Sequence, residues 1–115
     1  MKWKIEYSTK VFHALKRIDK PTRQRILKRI RAISQLDDPR QQGKPLTGRL
    51  AGLWRYREGD WRIICLIHDD TVTVYVVDTG HRSSIYKKLP KRQREITYDP
   101  ISLDSKNGGD LRIDL

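Results

Sequence analysis

The stretch that most limits how this chain can fold is residues 52–67, GLWRYREGDWRIICLI. Apolar and polar residues alternate along it on both sides of Gly59 and Asp60, which is typical of two half-buried β-strands joined by a tight turn. A two-residue loop with glycine first suits a type II′ turn. We therefore predict a β-hairpin with strands over about 53–58 and 61–68.

The hairpin register determines which side chains share a face of the sheet. With Gly59-Asp60 as the loop, Arg57 lies directly opposite Arg62, and Arg55 lies opposite Ile64. Directly opposed residues share a face, so the three arginines point the same way. The other face carries the large apolar residues Trp54, Tyr56, Trp61, Ile63, Cys65 and Ile67. We predict that this apolar face packs on helices and that the arginines face away from them.

The arginine face has two interpretations. It is either an ordinary solvated face of an antiparallel sheet or a site that holds an anion, and periodicity alone does not separate them. Two features favour an anion site. All three positions are Arg, whose planar fork suits phosphate better than Lys does. In addition, a third strand, over about 72–79, ends in a further polar cluster formed by His81, Arg82 and Tyr86.

The rest of the chain predicts the remaining elements. Residues 2–8 alternate like a short strand, and helical spacing predicts one helix over about 10–19, capped by Ser8 or Thr9. We predict a second helix that begins at Pro21 and ends before residue 38, followed by a loop over residues 39–51. The order predicts an α+β domain: an N-terminal strand, a helical hairpin and a three-stranded antiparallel meander, with helices on one face of the sheet.

The charge of the chain narrows the class of partner. It has 25 Lys and Arg against 14 Asp and Glu, a net charge of +11. This excess favours nucleic acid as the partner, then an acidic protein, then an anionic membrane surface. Part of this positive charge lies on the outer face of the second helix, in Arg25, Lys28 and Arg29. We assign these three residues to phosphate binding, together with Arg55 and Arg57 of the hairpin.

The sequence leads us to expect that this is not a disulfide-rich, metal-binding, secreted or membrane-spanning protein. The one cysteine, Cys65, cannot build a disulfide framework or a metal cluster. The chain has no apolar stretch long enough for a signal peptide or a membrane span. We therefore expect a cytoplasmic protein that uses no metal and no small-molecule cofactor and does not bind a membrane.

The balance of charge changes near the end of the chain. Residues 1–94 have a net charge of +14, whereas residues 95–115 have a net charge of −3. We predict one domain over residues 1–89 and an acidic C-terminal extension over 90–115. This extension either folds back over the basic surface and inhibits it or is a disordered addition, and the sequence leaves both open.

The polar cluster contains the groups that metal-free cleavage of RNA requires. Attack by the 2′-hydroxyl of the RNA needs a base, cations around the phosphorane and an acid for the leaving 5′-oxygen. Histidine is the side chain that normally titrates near neutrality, and His81 is therefore our candidate for proton transfer. Arg62 and Arg82 supply charge, and Tyr86 offers a ring on which a splayed base can stack. His81 as a surface residue and Tyr86 as a packing residue remain alternatives.

The combination of GLWRYREGDWRIICLI with VTVYVVDTGHRSSIYK resembles the RelE/ParE toxin superfamily, on its RelE-type branch. The resemblance covers most of residues 3–88. It implies a toxin of a type II toxin–antitoxin module that cleaves mRNA in the A site of the 70S ribosome without a metal. It also implies silencing by a small acidic antitoxin, which we expect to cover the basic surface.

The resemblance assigns roles by position. The basic strand residues of the family fall on Arg55 and Arg57, its arginine after the hairpin falls on Arg62, and its last arginine and aromatic residue fall on Arg82 and Tyr86. Some RelE-type toxins have lysines where Arg55 and Arg57 stand. Because Arg is a poor general base, we assign proton transfer to His81. The segment between Arg82 and Tyr86 is also shorter than in some members.

Two other functions remain open. ParE-type members share the fold but poison DNA gyrase and are not nucleases, and they generally lack the basic face with His and Tyr. A non-catalytic RNA-binding or repressor module is the third possibility. The sequence does not determine a codon preference or the identity of the antitoxin.

Overall fold

The computed structural model describes residues 3–101 of the chain. Its helices and strands follow in this order: β1 (Lys4–Tyr7), α1 (Thr9–Arg17), α2 (Lys20–Ser34), β2 (Lys44–Pro45), β3 (Leu53–Glu58), β4 (Trp61–His68), β5 (Thr73–His81) and α3 (Ile85–Lys88). Short 3₁₀ turns lie at Pro39–Gln42, Gly48–Leu50 and Gln93–Glu95. None of the helices in residues 3–101 is long and apolar enough to span a bilayer.

Both long helices begin at side chains that accept backbone N–H groups. The Oγ of Ser8 accepts a hydrogen bond from the N–H of Val11 at 2.9 Å and donates one to the carbonyl of Val77 at 2.7 Å. Asp19 caps α2 by accepting from the N–H of Thr22 at 3.1 Å, and Pro21 stands in the first turn. Ser8 is therefore the cap of α1, and it also ties that helix to the sheet.

The sheet has five strands in the order β1-β5-β4-β3-β2. β1 pairs with β5 in parallel, and the other pairs are antiparallel. The predicted α+β class and the meander of β3, β4 and β5 are confirmed. The edge strand β2 was not predicted and lies in the stretch that we read as a loop. A two-residue strand that includes Pro45 is too short to show alternation, so its sequence gives no strand signal.

Each face of the sheet carries an apolar cluster. On the helix side, Tyr56, Ile63 and Cys65 pack with the buried residues of α1 and α2. On the other side, a smaller cluster consists of Leu53, Ile64, Tyr75, Val77, Ile85 and Leu89. The second face is therefore apolar over much of its length, and the arginines occupy only the part beside the hairpin turn.

The packed chain continues past the predicted boundary at residue 89. Ile96 packs against the second cluster and Ile101 against the first. The N–H of Ile101 donates to the carbonyl of Tyr7 at 2.8 Å, and Pro100 forms a β-bridge with Ser8. Residues 90–101 thus lie along the domain and extend its core. The predicted regulatory or disordered extension otherwise falls on residues 102–115, which lie outside the described residues.

We expect that Tyr75→Phe will loosen the segment that ends at Ile101. The buried hydroxyl of Tyr75 accepts from the N–H of Asp99 at 2.9 Å and donates to the carbonyl of Thr97 at 3.2 Å. Losing both hydrogen bonds will lower the free energy of unfolding by about 1–3 kcal/mol. Hydrogen exchange should show faster exchange of the Asp99 amide, with the amides of β4 unchanged. Equal protection at Asp99 in both proteins would contradict this contact.

Candidate nucleic-acid interface

The hairpin has the predicted register. Arg57 pairs with Arg62 and Arg55 with Ile64, so the three arginines share one face, opposite the face that packs on the helices. Gly59 has a φ of 59°, the left-handed conformation that a type II′ turn requires at its first loop residue. The turn therefore brings Arg57 and Arg62 together as directly opposed like charges.

Arg62 is the most enclosed of these arginines, with 8% of its surface exposed. Its Nη1 donates to the carbonyl of Gly59 at 2.8 Å and to that of Trp61 at 3.0 Å. These bonds hold the guanidinium against the hairpin turn, and a side chain fixed in this way pays little entropy when it binds a ligand.

The surroundings of Arg62 disfavour its charge. Burial lowers the pKa of Arg62, and the nearby charges of Arg57, Arg55 and Arg82 lower it further, whereas Tyr86 acts in the opposite direction. All four residues are therefore close enough to Arg62 to act on its charge. Across residues 3–101, no carboxylate forms an ion pair with Arg55, Arg57 or Arg62. A bound anion would relieve this repulsion.

Arg82 and Tyr86 approach from the end of β5 and from α3. The N–H of Arg82 donates to the carbonyl of Asp60 at 2.8 Å, and its Nε lies 3.6 Å from the Asp60 carboxylate. These contacts tie the chain after β5 to the tip of the hairpin. Tyr86 is 40% exposed, which leaves its ring and hydroxyl accessible to a ligand.

The three basic residues assigned on α2 do not all reach the hairpin. The Nε of Arg29 donates to the carbonyl of Arg57 at 3.3 Å, and its Nη1 donates to Oε1 of Gln42 at 2.6 Å. Arg25 instead contacts Thr22 within its own helix, and Lys28 is exposed. Only Arg29 therefore joins the surface formed by the arginines.

The structure does not bring His81 to Arg62, which corrects the grouping predicted from the sequence. His81 pairs with Trp61, and their rings are in edge-to-face contact with centroids 6.0 Å apart. Trp61 packs on the helix-side cluster, so His81 lies on that side, and Gly80 is the residue opposite Arg62. The Nδ1 of His81 accepts from the N–H of Ser83 at 3.2 Å.

Two polar residues at the edge of the sheet were missed by the sequence analysis. Lys44 pairs directly with Arg55, and Gln42 is bonded to Arg29. Both lie in the stretch read as a loop, where nothing in the sequence marks them. In the described part of the chain, no group of His, Cys, Asp or Glu side chains is arranged to hold a metal ion.

Comparisons with known proteins agree with this fold. A family model described as the ParE toxin of the type II toxin–antitoxin system parDE matches residues 5–86. The curated toxin RelE of Mycobacterium tuberculosis is 37% identical over 59 residues, which are 51% of this chain and 61% of that protein. The curated toxin RelG of the same organism is 37% identical over 51 residues, which are 44% and 59% of the two chains. The matched regions thus span about three fifths of these relatives.

Solved structures share the fold of this chain. The toxin–antitoxin complex RelBE2 of M. tuberculosis contains a chain with 27% identity and a TM-score of 0.56, covering 71% of this chain and all of that one. The isolated RelE toxin of E. coli, at 17% identity, has a TM-score of 0.60, with 75% and 93% covered, and shows the shared fold. Since the family model spans most of the sequence, the chain belongs to the ParE toxin family of type II toxin–antitoxin systems, within the RelE/ParE superfamily.

Proposed function

We propose that this protein is the toxin of a toxin–antitoxin module and that it cleaves mRNA in the A site of the 70S ribosome without a metal. The observation that carries the proposal is the enclosed Arg62, whose charge is disfavoured by the neighbouring Arg57, Arg55 and Arg82. Among residues 3–101, no carboxylate forms an ion pair with Arg62, Arg57 or Arg55. Such a site is suited to a phosphate that gains negative charge during reaction. The curated RelE and RelG relatives support the same branch of the superfamily.

In the proposed reaction, the 2′-oxygen of the RNA attacks the adjacent phosphorus, and the bond from phosphorus to the 5′-oxygen breaks. The products are a 2′,3′-cyclic phosphate and a 5′-hydroxyl. The proton of the 2′-hydroxyl passes to water or to a phosphate oxygen, and the 5′-oxygen takes up a proton. Arg62 and Arg57 stabilise the charge that develops on the non-bridging oxygens.

For proton delivery to the 5′-oxygen, we propose a different residue from the one expected from the sequence. His81 faces the helix side of the sheet, whereas the phenol of Tyr86 lies within electrostatic reach of Arg62. We therefore assign the proton donor to the Tyr86 hydroxyl, whose exposed ring also offers a face for a base. In this scheme His81 is a packing residue beside Trp61.

A gyrase inhibitor is the second candidate, because the family model is that of the ParE toxin. The two functions separate in one comparison of purified protein. A translation extract programmed with a purified message tests the first, and a DNA gyrase assay for trapped cleavage complexes tests the second. We expect translation to stop with no trapped gyrase. Trapped gyrase with normal translation would replace the nuclease assignment by the gyrase assignment.

We further propose that an acidic antitoxin binds this protein through the basic surface, including the outer face of α2. The support is the net charge of +14 over residues 1–94 and the resemblance to a chain solved in a toxin–antitoxin complex. We expect association of the cognate antitoxin to be fast at low salt and to slow steeply as salt rises, because charge steers the encounter. Stopped-flow association rates that do not change with salt would contradict charge as the driving force.

A further inference from the structure

We propose that the groove on the β2 side of the hairpin is a second phosphate subsite. One phosphate of a single RNA strand binds at Arg62, and a neighbouring phosphate of the same strand binds in this groove. The groove has a volume of about 480 Å³ and is lined by Arg29, Gln42, Gly43, Lys44, Arg55 and Arg57. This inference rests on the proposed function for the identity of the strand. It adds Lys44 and Gln42 to Arg29, Arg55 and Arg57, which were already assigned to phosphate binding.

The first support is a second pair of opposed like charges. Lys44 of β2 pairs directly with Arg55 of β3. In the same way, Arg57, two residues further along β3, pairs with Arg62 of β4. Directly opposed like charges destabilise a sheet. Within residues 3–101, neither Lys44 nor Arg55 has a carboxylate partner, and the buried Nε of Arg55 has no hydrogen-bond acceptor. A phosphate in the groove would neutralise both charges.

The second support is the way Arg29 is held. Its Nε and Nη1 are bonded to the carbonyl of Arg57 and to the side chain of Gln42. Its Nη2 has no partner in the described part of the chain. The guanidinium is thus oriented in advance at the rim of the groove, with donor capacity left for a ligand. Preorganised donors bind a phosphate at lower entropic cost than free side chains do.

The groove and Arg62 form one continuous track of cations. Lys44 lies on β2, Arg55 and Arg57 on β3, and Arg62 on β4. Two strand spacings separate β2 from β4, about 10 Å. In a duplex, one strand has a phosphate for about every 3.4 Å of helix axis, and a track several times that long has room for more than one phosphate.

The lining of the groove favours a nucleic-acid backbone over a peptide. It contains four cationic side chains, one amide and a glycine, and no apolar side chain. Peptides that dock in grooves depend on apolar anchors as well as on charge. A polyanionic backbone needs only the cations. We therefore assign the groove to RNA rather than to an acidic segment of a protein partner.

The test is the salt dependence of binding to a single-stranded 2′-O-methyl RNA, which cannot be cleaved. Lys44→Gln should weaken binding at low salt and reduce the slope of log affinity against log salt by about 0.7, the value for one lost phosphate contact on a single strand. Lys4→Gln is the matched control, because Lys4 is an exposed lysine on β1 at the opposite edge of the sheet. Its slope should equal that of the wild type.

The outcomes separate the subsite from the proposed function. Equal slopes for Lys44→Gln and Lys4→Gln, or no binding of this RNA by the wild-type protein, would overturn the subsite even if ribosomal mRNA is cut. A reduced slope for Lys44→Gln alone would support it even if no mRNA is cut. An acidic peptide, polyglutamate, is the competing ligand. If Lys44→Gln weakens peptide binding and leaves RNA binding unchanged, the groove is a protein-docking surface and the inference fails.

Discussion

Replacing Arg62 by alanine will lower the rate of mRNA cleavage by about two orders of magnitude or more. The guanidinium is held at the hairpin turn by two backbone carbonyls and is enclosed by other cations. Losing one fixed donor to a developing oxyanion typically has this effect. The measurement is the single-turnover rate of cleavage on programmed ribosomes.

The controls for Arg62→Ala separate catalysis from folding. Because Arg62 is buried, thermal unfolding must show that the variant is folded at the assay temperature. Arg62→Lys keeps the charge but loses the planar fork, and its rate should fall between those of the wild type and the alanine variant. Arg49→Ala removes an exposed arginine outside the cluster and should leave the rate unchanged. A folded Arg62→Ala protein that cleaves at the wild-type rate would contradict the proposed role.

Tyr86→Phe will reduce cleavage by about a hundredfold or more, whereas His81→Ala will change it by only a few-fold. Proton transfer by a positioned side chain contributes about 10²–10⁴-fold. The phenol of Tyr86 is the group of this kind on the side of Arg62, and His81 lies against Trp61 on the other face. Single-turnover rates of both variants, with ribosome binding measured in parallel, test the assignment.

Tyr98→Phe is the matched control for this experiment. Tyr98 is an exposed tyrosine whose hydroxyl bonds to Glu6, and it stands in the segment that follows α3. Its loss should leave the cleavage rate unchanged. The opposite pattern, with His81→Ala inactive and Tyr86→Phe active, would restore the assignment made from the sequence.

The hairpin was predictable because its information is local. A period of two and a glycine at a two-residue turn determine which residues pair, so the shared face of Arg55, Arg57 and Arg62 followed from the sequence. The edge strand β2 and the packing of Ile96 and Ile101 were not predictable in this way. They depend on isolated residues that gain a partner only when distant parts of the chain meet.

The position of His81 shows how one extra residue changes a site. The register between β4 and β5 shifts between Ile64 and Cys65, because Ile64 pairs with Asp78 and Cys65 with Val76. Without this bulge, simple alternation from Val76 would place His81 on the arginine face. The inserted residue moves every later side chain of β5 to the other face. No turn or glycine in the sequence marks the bulge, so the sequence alone favoured the wrong grouping.

The most direct test of the account is primer extension on mRNA recovered after the protein is expressed, with the native protein compared with Arg62→Ala. We predict cuts that recur in phase with the codons of translated messages, that are absent from untranslated RNA, and that disappear in the variant. Messages that remain intact in cells whose growth has stopped, with gyrase trapped on DNA, would contradict the central claim. So would phased cuts that persist undiminished in the Arg62→Ala protein.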